Sequence, residues 1–151
     1  MDLIKLDFWT SHHQFYIVDK SSPFRTDSDD FWSAQASEDK LAIEEGILGV
    51  GTECYGHVNG DIHTLDTAPT EEDLSTYDHV VEGSLILPSG ILQVFACLDK
   101  IPIIELELPP VTYRVRVYSS NLSSVDGDSG DDYYRVRIWP EDYVQRRVLR
   151  R

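Results

Sequence analysis

Long apolar runs and sulfur-containing residues are scarce in this sequence. Its 151 residues include two cysteines and one methionine, and no apolar run approaches the ~20 residues that a membrane-spanning helix needs. A membrane partner is therefore not expected. Cys54 and Cys97 are far apart and belong to no CxxC or Cys/His motif. This spacing favours two buried free thiols over a disulfide or a metal site.

Basic residues are missing from the middle of the chain. No lysine or arginine lies between Lys40 and Lys100, and eleven acidic residues fall in that stretch. The net charge is −14, with about −16 on residues 1–112 and about +2 on the last 39. Such a field repels nucleic acid and attracts basic proteins. The sequence therefore predicts no direct nucleic-acid binding and a basic protein as partner.

Motifs for catalysis, cofactors and metals are also absent. There is no GxSxG, no phosphate loop and no HExxH. We therefore expect a non-enzymatic protein with no cofactor and no metal site. In the register that an Asn59-Gly60 turn would set, the side chains of His57 and His63 point to opposite faces. The five histidines are accordingly interpreted as structural or surface residues: His12, His13, His57, His63 and His79.

The content of aromatic residues indicates a folded domain. Eight tyrosines, five phenylalanines and three tryptophans are far too many for a disordered acidic chain. The length predicts a single domain over residues 1–151. Acidic residues stand where a signal peptide would have a basic start and an apolar stretch, so a cytoplasmic location is expected.

Short alternating runs broken by turn signals predict an all-β fold. The expected architecture is an antiparallel, jelly-roll-like β-sandwich of about eight strands with one or two short helical insertions. Residues 4–9 and 14–18 are predicted as the first two strands. Two hairpins are predicted next, one turning at Asn59-Gly60 between 47–58 and 61–65, and one turning at 88–90 between 80–87 and 91–98.

Two polar segments carry helix-capping signals. Ser28 precedes acidic residues that suit the first turn of a helix. Thr70 with Asp73 three residues later approximates a capping box, which predicts one or two helical turns there. These segments are the expected helical insertions.

The last third alternates with period two over residues 103–108, 113–118 and 133–139. If the loop 109–112 closes a hairpin, Glu107 lies opposite Arg114 and Glu105 opposite Arg116, and this pairing offsets the repulsion among four arginines on one face. Those arginines are Arg114, Arg116, Arg135 and Arg137. The other face is predicted to be core: Ile104, Leu106, Leu108, Val115, Val117, Tyr134, Val136 and Ile138. The basic segment 145–151 either pins itself to the acidic body or forms a free tail.

Three acidic runs are the candidate functional features: 27–30, 71–73 and 126–132. A charge run is ordinarily a solvated face, but these runs could instead imitate nucleic-acid phosphates for a basic enzyme, with aromatic anchors among the acids. The 126–132 run lacks the glycine and the glutamate that a calcium loop of the EF-hand type requires, although weak calcium binding stays open. The candidate partner-binding residues are Asp29, Asp30, Trp32, Glu71, Glu72, Asp73, Tyr77, Asp126, Asp128 and Asp131.

Four stretches occur in an order that resembles a known bacterial family: SHHQFYIV at 11–18, GSLILPSGIL at 83–92, LPPVTYRVRVY at 108–118 and DYYRVRIW at 132–139. The family consists of acidic β-sandwich proteins and includes the competence protein J group, whose members are described as inhibitors of a DNA-entry nuclease. The resemblance implies a β-sandwich and a nuclease-inhibiting role. The loop before Tyr113 departs from the family pattern, because it reads Pro-Val-Thr where a glycine is common.

The function predicted from these features is an acidic protein-binding domain, most concretely an inhibitor or immunity-type partner of a basic enzyme such as a nuclease. The alternative is a β-sandwich that binds a small ligand of carbohydrate type through aromatic residues near its loops. Salt dependence separates the two, because binding through charges weakens with salt.

Overall fold

The computed structural model describes residues 3–23 and 31–151. Eleven strands, one α-helix and two short 3-10 helices lie within these ranges, and none of the helices is long and apolar enough to cross a membrane. The strands are β1 Leu3–Trp9, β2 Gln14–Asp19, β3 Leu41–Glu44, β4 Ile47–Gly51, β5 His57–Thr64, β6 His79–Ile86, β7 Ile91–Ala96, β8 Ile104–Glu107, β9 Thr112–Ser120, β10 Tyr133–Pro140 and β11 Arg147–Arg150. The helix α1 is Ala34–Asp39, and the 3-10 helices are Leu74–Thr76 and Leu122–Ser124.

The strands form two sheets that pack face to face. One sheet has six strands in the order β1-β5-β10-β9-β6-β11, and the other has five in the order β3-β4-β2-β7-β8. The paired strands are antiparallel, except that β10 runs parallel to β5. The predicted class, an all-β sandwich with short helical insertions, is confirmed, with eleven strands instead of about eight.

The inner faces of both sheets form one apolar core, because every second residue of each strand points inward. On the last strands Val115, Val117, Tyr134, Val136 and Ile138 are buried, as predicted. Three predicted core residues, two in β8 and one directly after it, are only partly buried but pack against the same cluster: Ile104, Leu106 and Leu108.

A second apolar cluster covers the outer face of the five-stranded sheet. Tyr16 and Val18 of β2 point away from the main core and pack with Phe31 and Ala36 under α1. The helix begins after Ser33, whose hydroxyl accepts a hydrogen bond from the backbone N–H of Ala36. The helical turn predicted at Ser28 lies outside the described residues. The predicted turn near Thr70 is the 3-10 helix, and Asp73 caps it.

The predicted hairpin at Asn59-Gly60 is wrong. Both residues lie inside the continuous strand β5, where Asn59 pairs with Asp7 and Gly60 with Leu6 of β1. A Cβ atom on Gly60 would lie 1.9 Å from the carbonyl oxygen of Tyr134. The glycine is therefore needed for the close approach of β10, not for a turn.

Two further predicted hairpins are wrong, because each predicted turn connects strands that belong to different sheets. The turn at 88–90 leads from β6 in one sheet to β7 in the other, and the loop after Glu107 leads from β8 back to β9. The backbone N–H of Ser89 donates to the carboxylate of Asp19 at 3.1 Å, which ties the first turn to β2 of the five-stranded sheet. Glu105 and Glu107 consequently face β7 instead of the arginines of β9.

The C-terminal segment is pinned to the body of the protein. Strand β11 pairs with β6, and Arg147 forms an ion pair with Glu82. Arg146 and Arg151 both bind the carboxylate of Asp39 at the end of α1, each at 2.8 Å. The basic segment 145–151 is therefore pinned to the acidic body and is not a free tail.

Candidate protein-binding surface

Several arginines of residues 113–151 form ion pairs on the outer face of the six-stranded sheet. The side chain of Glu82 is completely buried there and binds Arg114, Arg116 and Arg147. Burial alone would raise the pKa of Glu82, but the hydrogen bonds from Arg147 and Arg116 outweigh it and hold this pKa below its ordinary value. Arg114, Arg116 and Arg147 are thus paired within the protein, whereas exposed acids such as Glu44 and Glu107 have no ion-pair partner among the described residues.

Glu72 belongs to this network and not to the exposed acids. Its carboxylate reaches from the connection between β5 and β6 to Arg116 at 2.5 Å, to Arg137 and to the hydroxyl of Tyr118. Burial raises the pKa of Tyr118 to about 12, and the hydrogen bond to Glu72 acts in the same direction. The interactions of Glu72 hold the connection onto the sheet.

The other candidate residues of this connection lie at its surface. Glu71 and Asp73 are exposed and line an open cavity of about 670 Å³. Tyr77 packs against Tyr118 with ring centroids 5.0 Å apart and accepts a hydrogen bond from Arg135. Tyr77 therefore has a structural role besides any contact with a partner.

One end of the sandwich presents aromatic side chains to solvent. Trp9 at the end of β1 is 69% exposed, and Tyr55 in the connection from β4 to β5 is 42% exposed. The backbone around them is held in place: Thr10 donates to the carbonyl of Gly56 at 2.7 Å, and Cys54 donates to the carboxylate of Asp132. Two large aromatic residues are thus displayed on a fixed backbone.

The acidic loop at 126–132 lies beside these aromatic residues. Trp9, His57 and Asp128 of this loop line one cavity of about 290 Å³. The loop closes on itself through hydrogen bonds between the backbones of Asp126 and Ser129. Three of its acids are exposed and have no ion-pair partner among the described residues: Asp126, Asp128 and Asp131.

Two exposed aliphatic residues extend the same end of the molecule. Leu98 and Ile101, in the connection from β7 to β8, are both 79% exposed. The backbone N–H of Cys97 donates to the hydroxyl of Thr10 at 2.8 Å, which joins this connection to the one that follows Trp9. We name this surface the aromatic end; it consists of Trp9, Tyr55, Leu98, Ile101, Asp126, Asp128 and Asp131.

The candidate residues predicted from the sequence do not form one surface. Trp32 packs on the outer face of the five-stranded sheet, against Phe31, while Glu71 and Asp73 lie over the outer face of the six-stranded sheet. Asp126, Asp128 and Asp131 are at the aromatic end, and Asp29 and Asp30 lie outside the described residues.

Sequence reasoning missed Trp9 and Tyr55. The alternation of β1 contained a signal for Trp9, because Leu6 and Phe8 point inward and Trp9 therefore points outward.

The histidines are distributed over separate environments. His57 contacts the carboxylate of Asp7, and the buried His79 donates to the backbone carbonyl of Asp39. The prediction that His57 and His63 face opposite sides is wrong. The two residues are six positions apart on the continuous strand β5, and residues an even number apart on a strand share a face. In the described part of the chain, no group of three or more His, Cys, Asp or Glu residues could hold a metal ion.

Solved structures share this fold at low sequence identity. ComJ from Bacillus subtilis, described as an inhibitor of the DNA-degrading activity of NucA, superimposes with a TM-score of 0.69 and 14% identity, covering 93% of this chain and 100% of its own. A protein described as crocagin biosynthetic gene J gives a TM-score of 0.62 and 18% identity, covering 93% and 98%. The family resemblance is confirmed at the level of the fold. No family model and no curated protein sequence matches this chain.

Proposed function

We propose that this chain is a non-enzymatic protein-binding domain of the inhibitor or immunity type, whose partner is a basic enzyme such as a nuclease. The observation that carries the proposal is the aromatic end, where Trp9 and Tyr55 stand exposed on a fixed backbone beside three unpaired carboxylates. Tryptophan and tyrosine are the residues that most often dominate the energy of protein interfaces. The nuclease-inhibitor description of the ComJ neighbour supports the same class of function by fold.

In this proposal the two kinds of residue have different tasks. Asp126, Asp128 and Asp131 occupy the partner's phosphate-binding groove in place of a nucleic acid and speed association by electrostatic steering. Trp9 and Tyr55 supply apolar contact area that slows dissociation. The three carboxylates have no ion-pair partner among the described residues, while Lys100, between Leu98 and Ile101, is an exposed basic residue at the same end.

The test is capture of the partner from a lysate of the source organism with wild-type protein and with two variants. One variant carries Trp9→Ala and Tyr55→Ala, and the other carries Asn at positions 126, 128 and 131. We expect the wild-type protein to retain a basic nuclease whose activity appears when salt releases it. The Asn variant should associate roughly tenfold more slowly at low salt, and the Ala variant should dissociate faster.

The matched control removes the same number of charges from the opposite end of the sandwich. Glu44, Glu45 and Glu107 are exposed and have no ion-pair partner within residues 3–23 and 31–151, so Gln at these three positions changes the net charge equally. This control should bind at a rate close to that of the wild type. Equal slowing by both sets of charge changes would assign the effect to net charge alone and would contradict the aromatic end as the interface.

A further inference from the structure

A separate groove lies between α1 and the start of β2. Its volume is about 330 Å³, within the range of pockets that hold small ligands. Its walls include His12, His13, Gln14, Trp32 and Lys40. The groove adjoins the aromatic end, because the ring of Tyr55 packs against the rings of His12 and His13.

Two polar atoms of this groove lack hydrogen-bond partners. Oε1 of Gln14 and Nε1 of Trp32 are both buried, and neither has a partner within the described residues. The first is an acceptor and the second a donor. Buried polar atoms of folded proteins are nearly always satisfied, and an exception calls for an explanation such as an absent ligand. One hydroxyl group can satisfy both atoms, since it donates to an amide oxygen and accepts from an indole N–H.

The turn that carries the two histidines has an unfavourable backbone. His12 and His13 have φ values of 58° and 59° in the tight turn between Ser11 and Gln14. Two consecutive positive φ angles are characteristic of type I′ turns, where Asn-Gly is preferred. Strain of this kind concentrates at binding sites. In this turn it places two imidazole rings at the rim of the groove.

The one lysine in the lining of the groove is already paired. The ammonium group of Lys40 is paired with the carboxylate of Glu53 at 3.3 Å. Glycines of β4 let two walls of the groove pack close to the sheet: a Cβ on Gly51 would lie 3.2 Å from the Cα of Lys40, and one on Gly49 would lie 2.8 Å from the ring of Trp32. A neutral ligand with hydroxyl groups and an apolar face matches these walls.

We propose that this groove binds a small neutral polyhydroxylated molecule, of the class of a monosaccharide. One ligand hydroxyl bridges Trp32 Nε1 and Gln14 Oε1, and the aliphatic face of the ligand packs against the aromatic rings. Both protein atoms are closed to water in the empty groove, so the ligand displaces a lining side chain. His12 and His13 are exposed side chains of the lining, and a ligand that displaces one of them breaks its contact with Tyr55 and the hydrogen bond of its Nδ1 atom. Nothing in this proposal rests on the proposed enzyme partner.

The experiment follows the indole N–H resonances of uniformly ¹⁵N-labelled protein during titration with glucose, N-acetylglucosamine and glycerol at millimolar concentrations. The chain has three tryptophans, and Trp32→Phe and Trp9→Phe assign their signals. We expect saturable movement of the Trp32 signal with at least one sugar, while Trp9 and the buried Trp139 stay in place. No movement with any of the three probes would overturn the proposal. Equal movement of the exposed Trp9 would also do so, since it would show non-specific stacking.

A second variant separates binding from folding. Gln14→Leu removes the unpartnered acceptor and keeps the size of the side chain. We expect it to abolish the sugar-induced movement of the Trp32 signal and to leave the Tm unchanged or higher, because a buried acceptor without a partner is destabilising. A clearly lower Tm would show that this oxygen already has a partner, and the proposal would fail.

Discussion

Glu82 and Arg116 face each other across β6 and β9, with 2.8 Å between Oε1 of the carboxylate and Nε of the guanidinium. The carboxylate is completely buried, so the pair is closed to solvent on one side. Removing one partner of a buried ion pair leaves the other charge unpaired, which is costly. This pair therefore marks a point where a single substitution acts strongly on stability.

We predict that Glu82→Gln lowers the free energy of unfolding by about 3–5 kcal/mol. The amide keeps the shape of the side chain but no longer balances Arg114, Arg116 and Arg147. Urea denaturation at neutral pH measures the effect. Glu44→Gln, on the exposed end of β3, is the control and should change stability by less than about 0.5 kcal/mol. Similar values for the two variants would mean that the network contributes little.

The same carboxylate makes the protein sensitive to acid. The pKa of Glu82 is lowered in the folded protein, so its contribution to stability is complete above the ordinary glutamate value of 4.5 and is lost as the pH falls through the folded pKa. Denaturation at a series of pH values below 4.5 should show a shallower decline in Glu82→Gln than in the wild type. Parallel declines would assign acid unfolding to other carboxylates, such as Asp39.

The burial of His79 predicts that stability also depends on pH in a second, higher range. Burial lowers the pKa of His79, and its Nε2 atom lies 2.8 Å from the backbone oxygen of Asp39. The unfolded chain binds a proton more readily than the folded protein, so stability is complete above pH 6.5 and decreases as the pH falls below that value. His79→Gln should remove this part of the slope, measured by thermal denaturation between pH 5 and 7.5, about the range where histidine titrates. An unchanged slope would contradict the assignment to His79.

Neighbouring glutamates should behave differently in the connection between β5 and β6. Glu72→Gln should lower the free energy of unfolding by about 2 kcal/mol, because the carboxylate bonds two arginines and Tyr118. It should also lower the pKa of Tyr118, followed by its absorbance at alkaline pH. Glu71→Gln is the matched control, since Glu71 is exposed, and it should leave both quantities unchanged. A similar loss of stability in both variants would remove Glu72 from the network.

Gly60→Ala tests the reinterpretation of the Asn59-Gly60 pair. The added methyl group would lie 1.9 Å from the carbonyl oxygen of Tyr134, so β5 and β10 would have to separate. We expect a loss of about 3 kcal/mol or more, measured by urea denaturation. Gly127→Ala, at a position where an added Cβ meets nothing within 4 Å, should cost only about 1 kcal/mol for its positive φ. Comparable losses would contradict the close packing of the two strands.

The site could be predicted from the sequence only in part. The acids at 126, 128 and 131 were identified as a candidate surface because a run of like charges is visible in the sequence, but their neighbour Trp9 comes from the first strand. Glu72 could not be distinguished from Glu71 and Asp73, because its partners Arg116 and Arg137 lie more than 40 residues away. The sequence predicted Glu105 opposite Arg116. In the structure the acid opposite Arg116 is Glu82, on the neighbouring strand β6.

The sequence by itself determined the class of fold and the content of the core. Period-two alternation places Val115, Val117, Val136 and Ile138 on one face regardless of which strand lies beside them, since successive residues of a strand always point to opposite faces. The tertiary structure alone decided which strands are neighbours. The turns after Ile86 and Glu107 are compatible with either a hairpin or a change of sheet. Only the packing of both faces of β6 and β7, and the anchoring of Ser89 by Asp19, selects the second.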